Sequence, residues 1–290
     1  MQPREIIENI KLTHPNIQTL YFVGCGASSS ELYPAEYFMR ANAHKLRTGY
    51  FTANEFNYAT PAACDDTAIV IACSLGGNTP ETVAAAKLAR EKGAVVISIT
   101  HDAASPLAAN GDYVIVHGFE KNYAAKLEKM NNVMMLAVEV LNQYEGCELY
   151  EDMVNGYLHI YDAIENAVSY VLPSAKQFAE DYKNESIIYV MSSGATERVA
   201  YSTSICLLLE MQWVNSGFCN DGEFFHGPFE IVDKDVPYLL LMNDGRTRAM
   251  DSRALDFLNR FDAKLPLLMQ KILDCLIMYQ LLLQNISVLC

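Results

Sequence analysis

The stretch Glu223-Phe224-Phe225-His226-Gly227-Pro228 sets a carboxylic acid and an imidazole three residues apart on a turn. Glu and His are the side chains most used to move protons near neutral pH. The same residues also fit a plainer reading, a histidine in apolar company bonded to a backbone carbonyl. Sixteen residues before His226, Glu210 follows three leucines and precedes Met211, so its carboxyl is expected to be desolvated. A third stretch, Cys73-Ser74-Leu75-Gly76-Gly77-Asn78-Thr79-Pro80, joins small residues to hydroxyls. Backbone amides can approach a ligand there, hydroxyls can donate, and the positive end of a following helix favours an anion, so the loop could cradle one phosphate. It is not a GxxxxGK[ST] loop, and Gly24-Cys25-Gly26 lacks the third glycine of a dinucleotide site. A tight strand-to-helix turn with capping hydroxyls fits the same spacing.

Composition limits what such groups could serve. The chain has 290 residues, 51% of them hydrophobic, enough for a large core in two domains. Its net charge of −14 argues against nucleic acid or an anionic membrane as a main partner, and no basic DNA-reading module is present. The amino terminus has no signal-peptide core and no apolar run has the length of a span, so a cytoplasmic location is expected. Eight cysteines without CxxC spacing read as reduced structural thiols, Cys25 among them, and offer no zinc set. His14, His44, His101, His117 and His159 read as structural, and neither metal nor organic cofactor is expected.

Elements that could position these groups come twice. Residues 19–41 read as strand, Gly-rich loop and serine-capped helix, and residues 65–93 repeat the plan, with Pro80 in the first helical turn and Gly93 past its end. Residues 94–118 add two short strands. Their β-branched runs lack alternation, as in parallel strands buried on both faces. The plan recurs from Ser186 and again from Val236: Gly26 and Gly76 lie 50 residues apart, Gly194 and Gly245 51 apart. The fold class is therefore α/β, with two related doubly wound parallel sheets, flanking helices and a helical connection between them. The first half carries the phosphate loops. The second has charge in Asn243-Asp244-Gly245-Arg246 where the first has Ser and Gly, and contributes different groups.

The blocks "VGCGASS", "CSLGGNTPET", "VISITHDAASPLAANGDYVI" and "LLLEMQWVNSGFCNDGEFFHGPFEIVDKDVP" resemble the sugar-isomerase (SIS) domain family of phosphosugar-binding proteins. The last block is similar to the isomerase half of glucosamine-6-phosphate synthase, without that enzyme's amidotransferase domain. Among stand-alone double-SIS proteins the chain resembles the bacterial fructoselysine-6-phosphate deglycases over about residues 1–263. The resemblance implies two tandem SIS domains, at 1–150 and 183–290, joined by connecting helices at 151–182. It implies phosphate contacts from Ser28, Ser74 and Thr79, with Gly26, Ser29, Gly76, Asn78 and Glu223 as further substrate contacts; Gly76 stands where the family often has a serine. Glu210 falls on the family's catalytic glutamate and His226 on the histidine of ring opening or proton transfer. In synthase relatives that histidine reaches the neighbouring subunit's site, which implies a homodimer.

The implied reaction is deglycation of a 6-phosphofructosyl-amine to glucose 6-phosphate and free amine. An aldose–ketose or amino-sugar phosphate isomerase would share Glu210 and His226, whereas a non-catalytic sugar-phosphate sensor would need only the hydroxyl loops. Residues 120–132 read as a helix with solvated lysines where relatives place a substrate-facing loop. After Ala263 a strand is due, yet residues 264–290 are apolar with a helical pattern and no β signal. A coding sequence for them, shifted by one nucleotide, can read as strand, Gly/Pro loop and helix, so a frameshift near Ala263 is expected to have replaced the second domain's last segment.

Overall fold

A computed structural model describes residues 1–118 and 123–265, the side chains of 123–127 excepted. The chain forms two compact units that divide between Leu158 and His159.

The first unit runs α1 (Pro3–Thr13), β1 (Thr19–Gly24), α2 (Gly26–Asn42), β2 (Arg47–Thr52), α3 (Ala53–Tyr58), β3 (Ala68–Cys73), α4 (Pro80–Glu91), β4 (Val95–Thr100), α5 (Pro106–Ala109), β5 (Tyr113–Val116) and α6 (Tyr123–Tyr144). All neighbouring strands are parallel, in the order β2-β1-β3-β4-β5. Strands β1, β3 and β4 are buried along their whole length, as their unalternating apolar runs require. Leu20, Phe22, Ile69, Ile71 and Ile97 pack with α1, α2 and α6 on one face. Val23, Val70, Ala72 and Val96 meet Phe56 of α3 and the alanines of α4 on the other. This order reverses direction between β1 and β3, and open α/β sheets bind ligands at the carboxyl ends of strands at such a switch.

The division falls inside α7 (Tyr150–Tyr182), a single helix of 33 residues over the stretch read as connecting helices. There follow β6 (Ile187–Ser192), α8 (Glu197–Ser202), β7 (Asn215–Asn220), β8 (Tyr238–Leu241) and α9 (Arg248–Arg260). Between α8 and β7 the segment Thr203–Met211 winds as a π-helix. The second sheet is parallel in the order β7-β6-β8, three strands among the described residues against five in the first. Lys264 makes one parallel bridge to Pro237, beside the start of β8, where the first sheet carries β4 beside β3. The expectation about the tail concerns residues that, from 266 on, lie outside the described part.

The repetition read from the sequence has a geometric counterpart. Gly26 and Gly194 both take positive φ, +53° and +59°, directly after their central strands. Gly49 of β2 lies in register with Tyr21 of β1, and Gly217 of β7 with Tyr189 of β6. A side chain at either glycine would come within 2.9 Å and 2.7 Å of the tyrosine ring, so an aromatic lies across each edge-strand glycine.

Candidate active site

In the first unit, β1 and β3 end side by side, with Gly24 in register with Cys73. The two loops that follow therefore leave the sheet together at the switch point. Gly24 fits because a side chain there would press on the Cys73 carbonyl and the Ser29 amide at 3.2 Å. The turn at Gly26 opens α2, whose N-cap is Cys25 with no side-chain cap, so the serines do not cap the helix as expected. They work within its first turns instead. Ser30 donates to the Gly26 carbonyl at 3.2 Å, and Ser29 donates to the Tyr50 hydroxyl at 2.6 Å.

After β3, Ser74 is buried and its hydroxyl meets that of Thr79 at 2.9 Å. The loop between them is pinned from outside: Leu75 accepts from the Thr100 hydroxyl at 2.9 Å, and Gly77 accepts from the Leu107 amide at 3.0 Å. Gly77 has φ +66°, and a side chain there would collide with Ser105 and Thr100. Asn78 donates back to the Gly76 carbonyl at 2.9 Å, and Pro80 then starts α4. The Thr82 hydroxyl lies 4.0 Å from the Cys25 sulfur, across from one loop to the other.

One group beneath these loops was missed in the sequence. Lys129, 4% exposed, donates to the Ser28 hydroxyl at 3.3 Å and pairs with Glu31. Burial pushes the Glu31 carboxyl above its ordinary value while Lys129 pulls it back. The place of Lys129 in the run 120–132 suggests a solvated lysine instead; of that run, 120–122 and the side chains of 123–127 lie outside the described part. His117, at the end of β5, is buried too. Its Nδ1 lies 2.8 Å from the Gly118 carbonyl, its Nε2 has no partner among the described residues, and burial holds it below the ordinary histidine range.

The second unit carries Glu210, Glu223 and His226. Glu210 sits on the π-helical segment and is exposed, not desolvated as its leucine neighbours suggested. The wider winding leaves Leu208 buried, while Leu207, Leu209 and Met211 face outward with it. Trp213 follows with φ +57° and 90% exposure. His226 and Glu223 are exposed on a short 3-10 turn, where the His226 amide donates to the Glu223 carbonyl at 2.9 Å. Among the described residues no side-chain hydrogen bond or ion pair joins Glu210, Glu223 and His226. The loop after β8 is closed by its own groups: Asn243 donates to Thr247 at 2.8 Å, and Arg248 pairs with Asp244 at 3.1 Å.

Among the described residues no three His, Cys, Asp or Glu side chains are grouped to hold a metal ion, and no helix is long and apolar enough to cross a membrane.

Comparisons with known proteins bear on this arrangement. The SIS domain model matches residues 15–141, which span both loops of the switch point. A fructosamine deglycase of Bacillus subtilis (strain 168) is 38% identical over 252 residues, 87% of this chain and 77% of that protein. The fructoselysine 6-phosphate deglycase of Escherichia coli (strain K12) is 26% identical over 245 residues, covering 84% and 71%. A Salmonella typhimurium LT2 structure described as a phosphosugar isomerase superposes with a TM-score of 0.88 at 38% identity, over 98% of this chain and 91% of that one. With the loops at the switch point, the parallel five-stranded sheet and relatives of this identity and coverage, the chain belongs to the SIS domain family.

Proposed function

We propose that the protein cleaves 6-phosphofructosyl-amines, such as fructoselysine 6-phosphate, to glucose 6-phosphate and the free amine. The observation that carries this reading is the Ser74–Thr79 hydroxyl pair at the β1/β3 switch point, in a chain 38% identical to a fructosamine deglycase. Ser28, Ser74 and Thr79 bind the phosphate, helped by the amides around Gly76 and Asn78 and by Gly26 and Ser29 of the neighbouring loop. The repeated Gly26/Gly194 and Gly49/Gly217 geometry supports reading the second unit as a second SIS domain.

In this mechanism His226 opens the sugar ring and passes a proton to the C2 oxygen. Glu210 takes a proton from C1, giving the enaminol, and returns it to C2. The C1–nitrogen bond is then an imine. Water adds to C1, the C–N bond breaks, and the amine leaves with glucose 6-phosphate as the other product. Glu223 contacts the substrate, and the chemistry requires no cofactor. Exposed Glu210, with Leu207, Met211 and Trp213 outward beside it, supports a homodimer that covers this face and gives the carboxyl a drier setting. The substrate class and the reduced-thiol reading of the cysteines support a cytoplasmic location.

The test incubates the protein with fructoselysine 6-phosphate and, separately, fructose 6-phosphate, and follows glucose 6-phosphate and free amine. Amine released in step with glucose 6-phosphate is expected, and release from neither substrate overturns the enzyme reading. A second reading, aldose–ketose isomerisation, is favoured by the likeness to a structure described as a phosphosugar isomerase. Glucose 6-phosphate from fructose 6-phosphate alone would select it.

A further inference from the structure

We propose that Asp221 and Asp251 share one proton, and that this carboxylic acid–carboxylate pair is the latch that positions the Glu223–His226 turn. Both side chains are buried, Asp221 to 2% and Asp251 to 0% exposure. Asp251 accepts from the Asn243 amide at 2.7 Å, from Asn243 Nδ2 at 2.6 Å and from the Ser193 hydroxyl, the surroundings of an ionised carboxylate. Asp221 has no donor at either oxygen among the described residues, and its backbone is tied to Ser192, next to the Ser193 whose hydroxyl holds Asp251, so the two acids enter one buried corner. A second buried charge without a donor, against a first, is costly, so Asp221 keeps its proton and gives it to Asp251. Burial first, then the bond to Asp251 and its charge, push Asp221 up to about 9.

Its place in the fold makes the pair a latch. The carboxyl ends of β6, β7 and β8 meet here through Ser193, Asp221 and Asn243, with Asp251 entering from α9. Asp221 begins the turn, its amide donating to the Ser192 carbonyl at 3.1 Å. A side chain at Gly222 would have to displace the Met250 methyl and the Asn220 amide, and Phe224 is buried with its ring 5.6 Å from that of Phe257. Helix α9 therefore grips the turn at Asp251 and at Phe257, six residues apart, and Glu223 and His226 project from what lies between. The other charged or titratable groups nearby are Cys219 and Glu223 on the same segment, Arg248 with Asp244 at the start of α9, Arg253 of α9 over the Phe225 ring at 3.9 Å, and Glu197, which accepts from Asn220 at 2.9 Å.

The catalytic consequence rests on the function proposed above, but the shared proton does not. The experiment measures melting temperature from pH 5 to 10 for the full chain, Asp221→Asn and Asp221→Ala, with backbone amide exchange at Glu223 and His226 and with kcat and KM. In the wild type the fold holds a proton that the unfolded chain gives up above about pH 4. This group's stabilisation is therefore complete at low pH and declines until about pH 9. Asp221→Asn supplies a donor that cannot ionise, so it should flatten that decline and keep slow exchange at the turn. It should also remove an alkaline loss of kcat near pH 9, while Asp221→Ala speeds exchange and lowers kcat at least tenfold with KM little changed. A pH slope in Asp221→Asn equal to the wild type overturns the shared proton. Wild-type exchange and kcat in Asp221→Ala overturn the latch. If Asp221→Ala does not fold, Asp251→Asn decides: an amide partner lets Asp221 ionise, so the decline must end at lower pH, and an unmoved end point overturns the pair. Absence of turnover on every substrate defeats the functional reading, while melting and exchange still decide the pair.

Discussion

The hydroxyls of Ser74 and Thr79 stand 2.9 Å apart, one just past the end of β3 and the other at the N-cap of α4. Each satisfies the other, so neither is left an unpaired buried polar group, and an anion held between them would exchange one neutral bond for two charge-assisted ones. Ser74→Ala and Thr79→Ala should each weaken fructose 6-phosphate binding by about tenfold or more, from a loss of roughly 1.5–3 kcal/mol per bond to a charged group. Calorimetric titration checks this, with fructose as a control that should be insensitive to both changes.

Glu210→Gln should cut turnover by about 10²–10⁴-fold, the usual contribution of one general base, and leave binding of a phosphorylated ligand nearly unchanged. Single-turnover kinetics beside a binding titration separates the two effects. An equal loss of both would make Glu210 a structural residue.

Gly77→Ala should destabilise the first unit by more than about 1 kcal/mol, since it adds a strained φ of +66° to a collision with Ser105 and Thr100. The change should lower the melting temperature and, by displacing the Ser74–Thr79 loop, weaken phosphate binding as well.

Burial holds His117 below the ordinary histidine range, so the unfolded chain takes up a proton there before the fold does. Its contribution is present above about pH 6.5 and is lost as the pH falls below it, by some fraction of the about 1.4 kcal/mol per pH unit that one proton carries. His117→Gln should flatten the acid side of the melting curve. This descent lies on the opposite side of neutrality from the one expected of Asp221 at high pH.

If a second copy covers the outward face of the π-helical segment, Met211→Asp with Trp213→Ser should convert a dimer to monomer in sedimentation experiments and lower kcat in proportion. A dimer that survives both changes would place the interface elsewhere.

Much of the first sheet was legible because its central strands are buried on both faces and carry no alternation to confuse them. The edge strands were not: Arg47–Thr52 and Asn215–Asn220 each contain a glycine and polar ends, which read as loop until their register against Tyr21 and Tyr189 is seen. The hydroxyl loops could be read from short spacing, and β1 and β3 bring them together. Lys129 could not, because its ion pair with Glu31 joins residues 98 positions apart and a lysine in a charged run looks solvated. Glu210 erred the other way. Leucine neighbours in sequence do not imply burial on a helix, because consecutive side chains fan around the axis; of Leu207 to Met211 only Leu208 points into the core.

The tyrosine ring lying across a glycine in each sheet binds two positions into one unit of inheritance. While Tyr21 stays, any side chain at position 49 must displace the ring, and Tyr189 imposes the same veto on position 217. Neither glycine can gain a side chain in a single step without moving an aromatic ring, and at position 49 the ring of Phe51, 2.8 Å away, joins that of Tyr21. Related chains should therefore keep glycine wherever the facing aromatic rings are kept, in each half by itself.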